Sequence, residues 1–205
     1  MYLLDDTFVI LYTSPGRKSI IGGVLMKNKP KLYLSAISAL FAAICTVFVY
    51  FVHIPNPIGG YVHFADMFVF LAASILPLPY AALSGAVGFA LADLVSGYPQ
   101  YMLPSAIIRV LIVLAFTNKK EKILCKRNYI ALPIAVAITV GGYAVTEYIL
   151  YRLMQHAVVE VAFGAALSSI PGNLVQSIVS SVLYVLLSLA LDKFNFKEQI
   201  LPKQR

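Results

Sequence analysis

The sequence predicts an all-α polytopic membrane protein with six transmembrane helices and both termini in the cytoplasm. Three observations carry this reading. Of the 205 residues, 60% are hydrophobic and only 12% charged, whereas a soluble globular domain is ~25% charged. Apolar stretches of bilayer-spanning or near-spanning length follow one another almost to the C-terminus. Fourteen of the sixteen Lys and Arg residues fall in three clusters, and these share one side of a membrane if four spans precede the middle cluster and two follow it. The mean hydropathy is +0.83, and 205 residues give room for about six helices of ~20 residues with short links and none for a separate soluble domain. The net charge of +7 then reads as the basic side of a membrane protein, not as a nucleic-acid surface.

Residues 1–25 contain Asp5, Asp6, the short run FVILY and then SPGRKS. That run is too short for a secretory signal, and its basic residues follow the apolar run where a signal has them first. Ile21-Gly22-Gly23 reads back into codons as ATA-GGA-GGT, a ribosome-binding sequence two codons ahead of Met26. The segment is therefore either a translated leader before a natural start at Met26 or a disordered cytoplasmic tail, and the membrane domain covers residues 26–192.

Span one, Leu32–Val52, follows Arg17, Lys18, Lys27, Lys29 and Lys31. Its run SAISALFAAIC sets Ser35, Ala39 and Ala43 on one face, and small residues at this spacing let another helix approach closely in lipid. Span two (Asp66–Leu78) and span three (Tyr80–Ser96) are separated by the Pro77/Pro79 pair, which forces a tight turn. Span three carries its own small stripe, Ser84, Gly85, Gly88 and Ala92. Gly97 and Pro99 turn the chain into span four, Leu103–Thr117. The loop NKKEKILCKRN supplies the middle basic cluster, and spans five (Tyr129–Tyr151) and six (Leu174–Leu191) complete the set before a basic cytoplasmic tail, 193–205. The outer side receives HIPNPIGGYVHF, SGYPQYMLPS and the longer RLMQHAVVEVAFGAALSSIPGN.

Asp66, Asp93, Arg109 and Glu147 lie in or beside the spans. A charge at the bilayer centre costs roughly 2.5–3.5 kcal/mol on insertion scales and less near the ends, so these residues sit near outer ends, and Asp93 and Arg109 are expected to form a structural ion pair. Tyr143 and Tyr151 flank Glu147 four residues either side on one helical face. Asn173, Gln176, Ser177, Ser180 and Tyr184 make a matching stripe on span six. Two polar faces in lipid face each other or a cavity.

Other chemistries lack their signatures. The chain has no GxxxxGKS/T phosphate loop and no HExxH, and no base accompanies its serines, so no enzyme activity is expected. His53, His63 and His156 are scattered, and Cys45 and Cys125 have neither metal nor disulfide spacing, so no metal and no cofactor is expected.

The marks GYVHFAD ahead of span two, ALADLVSGYP closing span three, GGYAVTEYILY in span five and PGNLVQ opening span six resemble the substrate-binding S components of energy-coupling factor (ECF) vitamin transporters, from about Lys31 to Asp192. The nearest group is that of carriers for riboflavin, hydroxymethylpyrimidine and related vitamins. The resemblance implies a subunit in a prokaryotic-type cell membrane that captures a vitamin outside and docks on a membrane T component driven by two cytoplasmic ATPases. It further implies that HIPNPIGGYVHF is a lid. The family's AxxxA docking motif falls on Ala39 and Ala43, with Ser35 one step earlier. The expected substrate set is Tyr61, Asp66, Tyr98, Tyr101, Tyr143, Glu147, Asn173 and Gln176. Tyrosines, amides and an acid suit a flat nitrogenous ring, with a hydroxymethylpyrimidine, thiamine-like or B6-like compound placed before riboflavin. A self-sufficient proton-coupled carrier relaying through Glu147 or Asp66 is the rival; such carriers usually carry internal repeats, and none is visible.

Overall fold

The computed structural model describes residues 20–55 and 60–201, with residues 20–30 described by their backbone alone. Of the leader or tail expected over 1–25, residues 1–19 lie outside the described residues, as do 56–59 of the expected lid and 202–205 of the basic tail. The chain runs α1 (Ile20–Phe51), a hairpin of β1 (His53–Pro55) and β2 (Tyr61–His63), α2 (Asp66–Ile75), α3 (Leu78–Val95), a 3-10 turn (Pro99–Tyr101), α4 (Met102–Ala115), α5 (Lys126–Met154), α6 (Val159–Lys193) and a short α7 (Phe196–Ile200).

Proline and glycine set the turns. Leu76 is extended because the residue before a proline is barred from the helical region. The Pro77 carbonyl then accepts from the Tyr80 and Ala81 N–H groups to start α3. At the other end of α3, Gly97 adopts φ +85°. This left-handed step lets Tyr98 N–H reach the Asp93 carbonyl at 2.8 Å and Gly97 N–H reach that of Leu94 at 3.3 Å, the paired bonds that close a helix. The turn carries Tyr98 and Tyr101 back over the end of α3.

One expected boundary was wrong. The outer segment before Leu174 is not a long loop: α6 begins at Val159 and contains Pro171. The stretch 159–170 holds Ala162, Ala165, Ala166 and Leu167, strong helix formers. Pro171 removes a single ladder bond, and the neighbouring Ser168 and Asn173 side chains bond back to the Gly164 and Ser169 carbonyls.

Successive helices alternate in direction. Asp93 near the end of α3 meets Tyr61 of β2, and Tyr101 before α4 meets Glu147 late in α5. At the opposite end, Ser38 donates to the Tyr80 carbonyl at 2.7 Å, and Asp192 accepts from the Ile123 and Leu124 N–H groups. Neighbours pack in the order α1, α3, α4, α5, α6, and α2 is enclosed against α1, α3, α4 and α6. Val69, Phe70, Ile75 and Leu76 are accordingly sealed. The opposite end is closed by Lys197, whose ammonium donates to the carbonyls of Ser74, Asn118 and Lys120, each at 2.7 Å.

The helix exteriors are apolar all round, with Leu40, Leu83, Leu103, Leu114, Val145 and Leu186 exposed, as lipid-facing surfaces are. Among the described residues, four segments are long and apolar enough to cross a membrane: Lys31–Phe51, α3, α5 and α6. α2 has 10 residues and α4 has 14, hence about 15 and 21 Å against a hydrocarbon core of about 30 Å. Neither meets that length alone, and the spans expected there, Asp66–Leu78 and Leu103–Thr117, were short as well.

The two small-residue stripes differ in use. That of α3 is internal: Ser84, Gly85, Gly88 and Ala92 are buried, and a Cβ on Gly88 would lie 2.8 Å from the Ala42 carbonyl oxygen of α1. Thr46 Oγ1 donates to the Gly88 carbonyl at 2.8 Å across the same contact. Ser35, Ala39 and Ala43 of α1, by contrast, are exposed.

Candidate functional site

The hairpin is the first piece of the site. β1 and β2 pair antiparallel with His53 opposite His63 and Pro55 opposite Tyr61. Alternation along β2 sends the Tyr61 hydroxyl to Asp93 of α3 and buries His63 against the Phe89 ring, 5.0 Å between centroids. The Tyr61 ring packs on Tyr98 at 4.9 Å. Burial, and then the Asp93 carboxylate beside it, hold the Tyr61 phenol above its ordinary pKa. Burial pushes the His63 imidazole down to about 4, so in the docked hairpin it is neutral.

Beneath the hairpin lies a chain of buried polar groups. His63 N–H donates to Gln176 Oε1 at 3.2 Å, and Gln176 Nε2 donates to Asp66 Oδ2 at 3.1 Å. Asp66 Oδ1 lies 2.8 Å from Arg109 Nη2, with both side chains fully buried. The Arg109 guanidinium sits over the Phe89 ring at 4.2 Å, a favourable seat for a desolvated cation, and reaches the Tyr143 hydroxyl at 3.4 Å. Ser105, one turn before Arg109 on α4, meets the same hydroxyl at 2.8 Å. The backbone of the outer loop is thereby tied to the ion pair at the start of α2.

Between the hairpin and the ends of α3, α5 and α6 is a cavity of about 20 Å³, lined by Gly60, Tyr61, Val62, His63, Asp93, Tyr101, Tyr143, Glu147, Ser169 and Asn173. That is room for about one water molecule, far below the roughly 300–1,000 Å³ of sites for vitamin-sized ligands. The hairpin covers the site in this conformation. Tyr101 donates to Glu147 Oε1 at 2.7 Å, and Gly60 rests on this bond: a Cβ there would lie 3.3 Å from the Tyr101 hydroxyl. Three buried atoms of the lining, His63 Nδ1, Asp93 Oδ2 and Glu147 Oε2, have no protein hydrogen-bond partner. A buried polar atom left unpaired is costly, and a ligand could supply the missing partners.

Of the expected substrate residues, Tyr61, Tyr101, Tyr143, Glu147 and Asn173 line this cavity. Asp66 and Gln176 lie behind it, bonded to each other and sealed, and Tyr98 supports Tyr61 from the side. The expected Asp93–Arg109 ion pair is corrected: Arg109 bridges to Asp66, and Asp93 takes the Tyr61 hydroxyl. Phe89 explains the exchange, because its ring lies under the guanidinium while Asp93, one turn further along α3, falls beneath the hairpin. Gly60, Val62, His63 and Ser169 were missed as lining residues. The signal available was the alternation in GYVHF, which is strand-like over too few residues to stand out. Among the described residues, no three His, Cys, Asp or Glu side chains converge as metal ligands would.

The model of a protein family described as ECF-type riboflavin transporter, S component, matches residues 31–193. No curated protein matches the chain.

Proposed function

The chain belongs to the ECF-type riboflavin transporter S component family, and on that premise we propose that it captures a flat, nitrogenous vitamin or vitamin precursor under its hairpin lid and passes it inward. It is a component of a membrane transporter, not an enzyme. The observation that carries the proposal is the cavity under the hairpin, where His63 Nδ1 and Glu147 Oε2 stand unpaired among Tyr61, Tyr101 and Tyr143. A planar heterocycle offers those two groups a donor and an acceptor and offers the tyrosines a face. The family description moves riboflavin ahead of the pyrimidine, thiamine-like and B6-like compounds favoured from residue types. Asp66, Gln176 and Tyr98 act on the ligand indirectly, by holding the hairpin and its ion pair.

Transport requires partners, a membrane T component and two cytoplasmic ATPases. The exposed small-residue face Ser35–Ala39–Ala43 is the proposed T-component contact, because bare small residues allow backbones to meet where lipid gives no hydrophobic driving force. All six helices cross the cell membrane in this reading. α2 is short because the helices around it, not lipid, cover its length, whereas α4 turns Leu103, Ile107, Leu111 and Leu114 outward to lipid. Both termini then lie on the cytoplasmic side with the basic clusters. The family favours this over the self-sufficient proton-coupled carrier.

Native mass spectrometry of the gently purified full chain, followed by titration with riboflavin, hydroxymethylpyrimidine, thiamine and pyridoxine, tests the proposal. One heteroaromatic ligand should co-purify and rebind. Failure of all four to bind, or retention of a non-aromatic solute, would overturn it.

A further inference from the structure

At the end of the bundle opposite the hairpin, α4 stops at Ala115 while α5 begins only at Lys126 and runs on for 29 residues. The early ladder of α5 therefore overhangs the end of α4 and opens an outward groove of about 600 Å³, lined among others by Ala115, Lys120, Lys126, Arg127, Ile130 and Ile134. Its floor and outer wall are apolar, and Ile130 and Ile134 are 55% and 44% exposed. Its rim holds three exposed cations. No acid lies in the first turn of α5, so the positive end of the helix dipole adds to the field of the rim instead of being neutralised. Glu121 is the sole acid of the segment 118–128.

The loop that brings Lys120 to this rim is held firmly. Asn128 Oδ1 accepts from Thr117 N–H at 2.8 Å, while Asn128 Nδ2 donates to the Ile123 carbonyl at 2.8 Å. Asp192 caps the Ile123 and Leu124 N–H groups, and Lys197 binds the Lys120 carbonyl itself. A fixed cationic rim over an apolar slot, at the depth where a bilayer changes from acyl chain to headgroup, matches a lipid with an anionic head. Basic pockets between helices on the cytoplasmic side are the general form of such sites. The slot lies between α4 and α5, whereas α1, which carries the exposed stripe, packs on α3 and α2.

We propose that the groove between the end of α4 and the start of α5 is a binding site for one anionic phospholipid, its phosphate held by Lys120, Lys126 and Arg127 and an acyl chain laid along Ile130 and Ile134. The placement of this end at the cytoplasmic leaflet rests on the orientation given under Proposed function; the groove and its charge do not depend on which vitamin is carried.

The test uses the full chain, delipidated in detergent, titrated with phosphatidylglycerol or phosphatidylcholine and read by native mass spectrometry and thermal melting. The wild type should bind phosphatidylglycerol at least tenfold more tightly than phosphatidylcholine. The Lys120→Gln/Lys126→Gln/Arg127→Gln variant should lose that preference and keep vitamin binding. A control variant at the other two basic clusters, Lys31→Gln/Lys193→Gln, should retain it. Equal binding of the two lipids, or an unchanged preference in the triple variant, would overturn the site. So would full protection by inorganic phosphate alone, or a triple variant that keeps lipid selectivity but no longer co-purifies with the T component, which would make the groove a protein contact. Vitamin binding measured on the same samples separates failure of the lipid site from failure of the transporter reading.

Discussion

Arg109 Nη2 lies 2.8 Å from Asp66 Oδ1, and neither side chain is reached by solvent. Asp66 also accepts from Gln176, which in turn accepts from the backbone of His63 in the hairpin. One buried ion pair thus fixes α2 to α4 and, through a single amide, sets where the lid rests. Removing one member leaves the other charged and unpaired, which costs about 3–5 kcal/mol. Asp66→Asn should lower the melting temperature sharply, and adding Arg109→Gln should recover part of the loss. A melting temperature unchanged in Asp66→Asn would show that the pair is not formed.

Glu147→Gln should weaken vitamin binding without unfolding the bundle. The side chain keeps its shape and its contact with Tyr101, but a charge-assisted bond to ligand is lost, worth about 1.5–3 kcal/mol, or about one to two decades in affinity. Calorimetry with the identified vitamin checks this, alongside circular dichroism for helix content. Equal affinity would move the ligand away from Glu147.

The turns were legible because their chemistry is local. Pro77 and Pro79 mark the link between α2 and α3, and Gly97 with Pro99 marks the reversal above Asp93, from residue type alone. The start of α6 was not legible: Pro171 reads as a helix opening, and only packing shows that the ladder continues through it from Val159. The hairpin was hidden for a related reason, since three-residue strands carry too little periodicity to separate from loop. Glu147, Tyr101, Tyr143 and Asn173 could be gathered by depth and helical face. Which acid pairs with Arg109 could not, because Asp66 and Asp93 lie at similar depth and the Phe89 ring that decides between them is an unremarkable core residue in sequence.

Gly60→Val should hinder lid closure. The added carbon would begin 3.3 Å from the Tyr101 hydroxyl, and overpacking of this kind costs about 1–3 kcal/mol. The vitamin should dissociate about ten- to a hundredfold faster, with association little changed. Stopped-flow measurements of release decide it, and an unaltered release rate would detach Gly60 from the lid.

Lid docking should weaken in acid. His63 in the docked hairpin titrates at about 4, against 6.5 for the ordinary group, chiefly through burial. Between these values the undocked hairpin takes up a proton that the docked one refuses, so docking is fully favourable above about pH 6.5 and loses up to tenfold per pH unit below it. Vitamin affinity should fall as pH drops through that window, and His63→Gln should flatten the slope. A slope identical in the variant would assign the pH dependence to another group.

Capture and transport should separate at α1. Ser35, Ala39 and Ala43 face outward, away from the cavity under the hairpin, so Ala39→Trp should leave vitamin affinity within about twofold, as expected of a substitution distant from the ligand. The same variant should no longer co-purify with the T component, because a bulky side chain keeps the helices from close approach. Retained co-purification would place the contact on another face.

The most direct measurement is vitamin uptake into liposomes holding the full chain, first alone under a proton gradient and then with the T component, both ATPases and internal or external ATP on the nucleotide-binding side. The account predicts binding but no uptake by the chain alone, uptake only with the partners and ATP, and loss of that uptake in Ala39→Trp. Uptake by the chain alone, driven by the gradient, would contradict it.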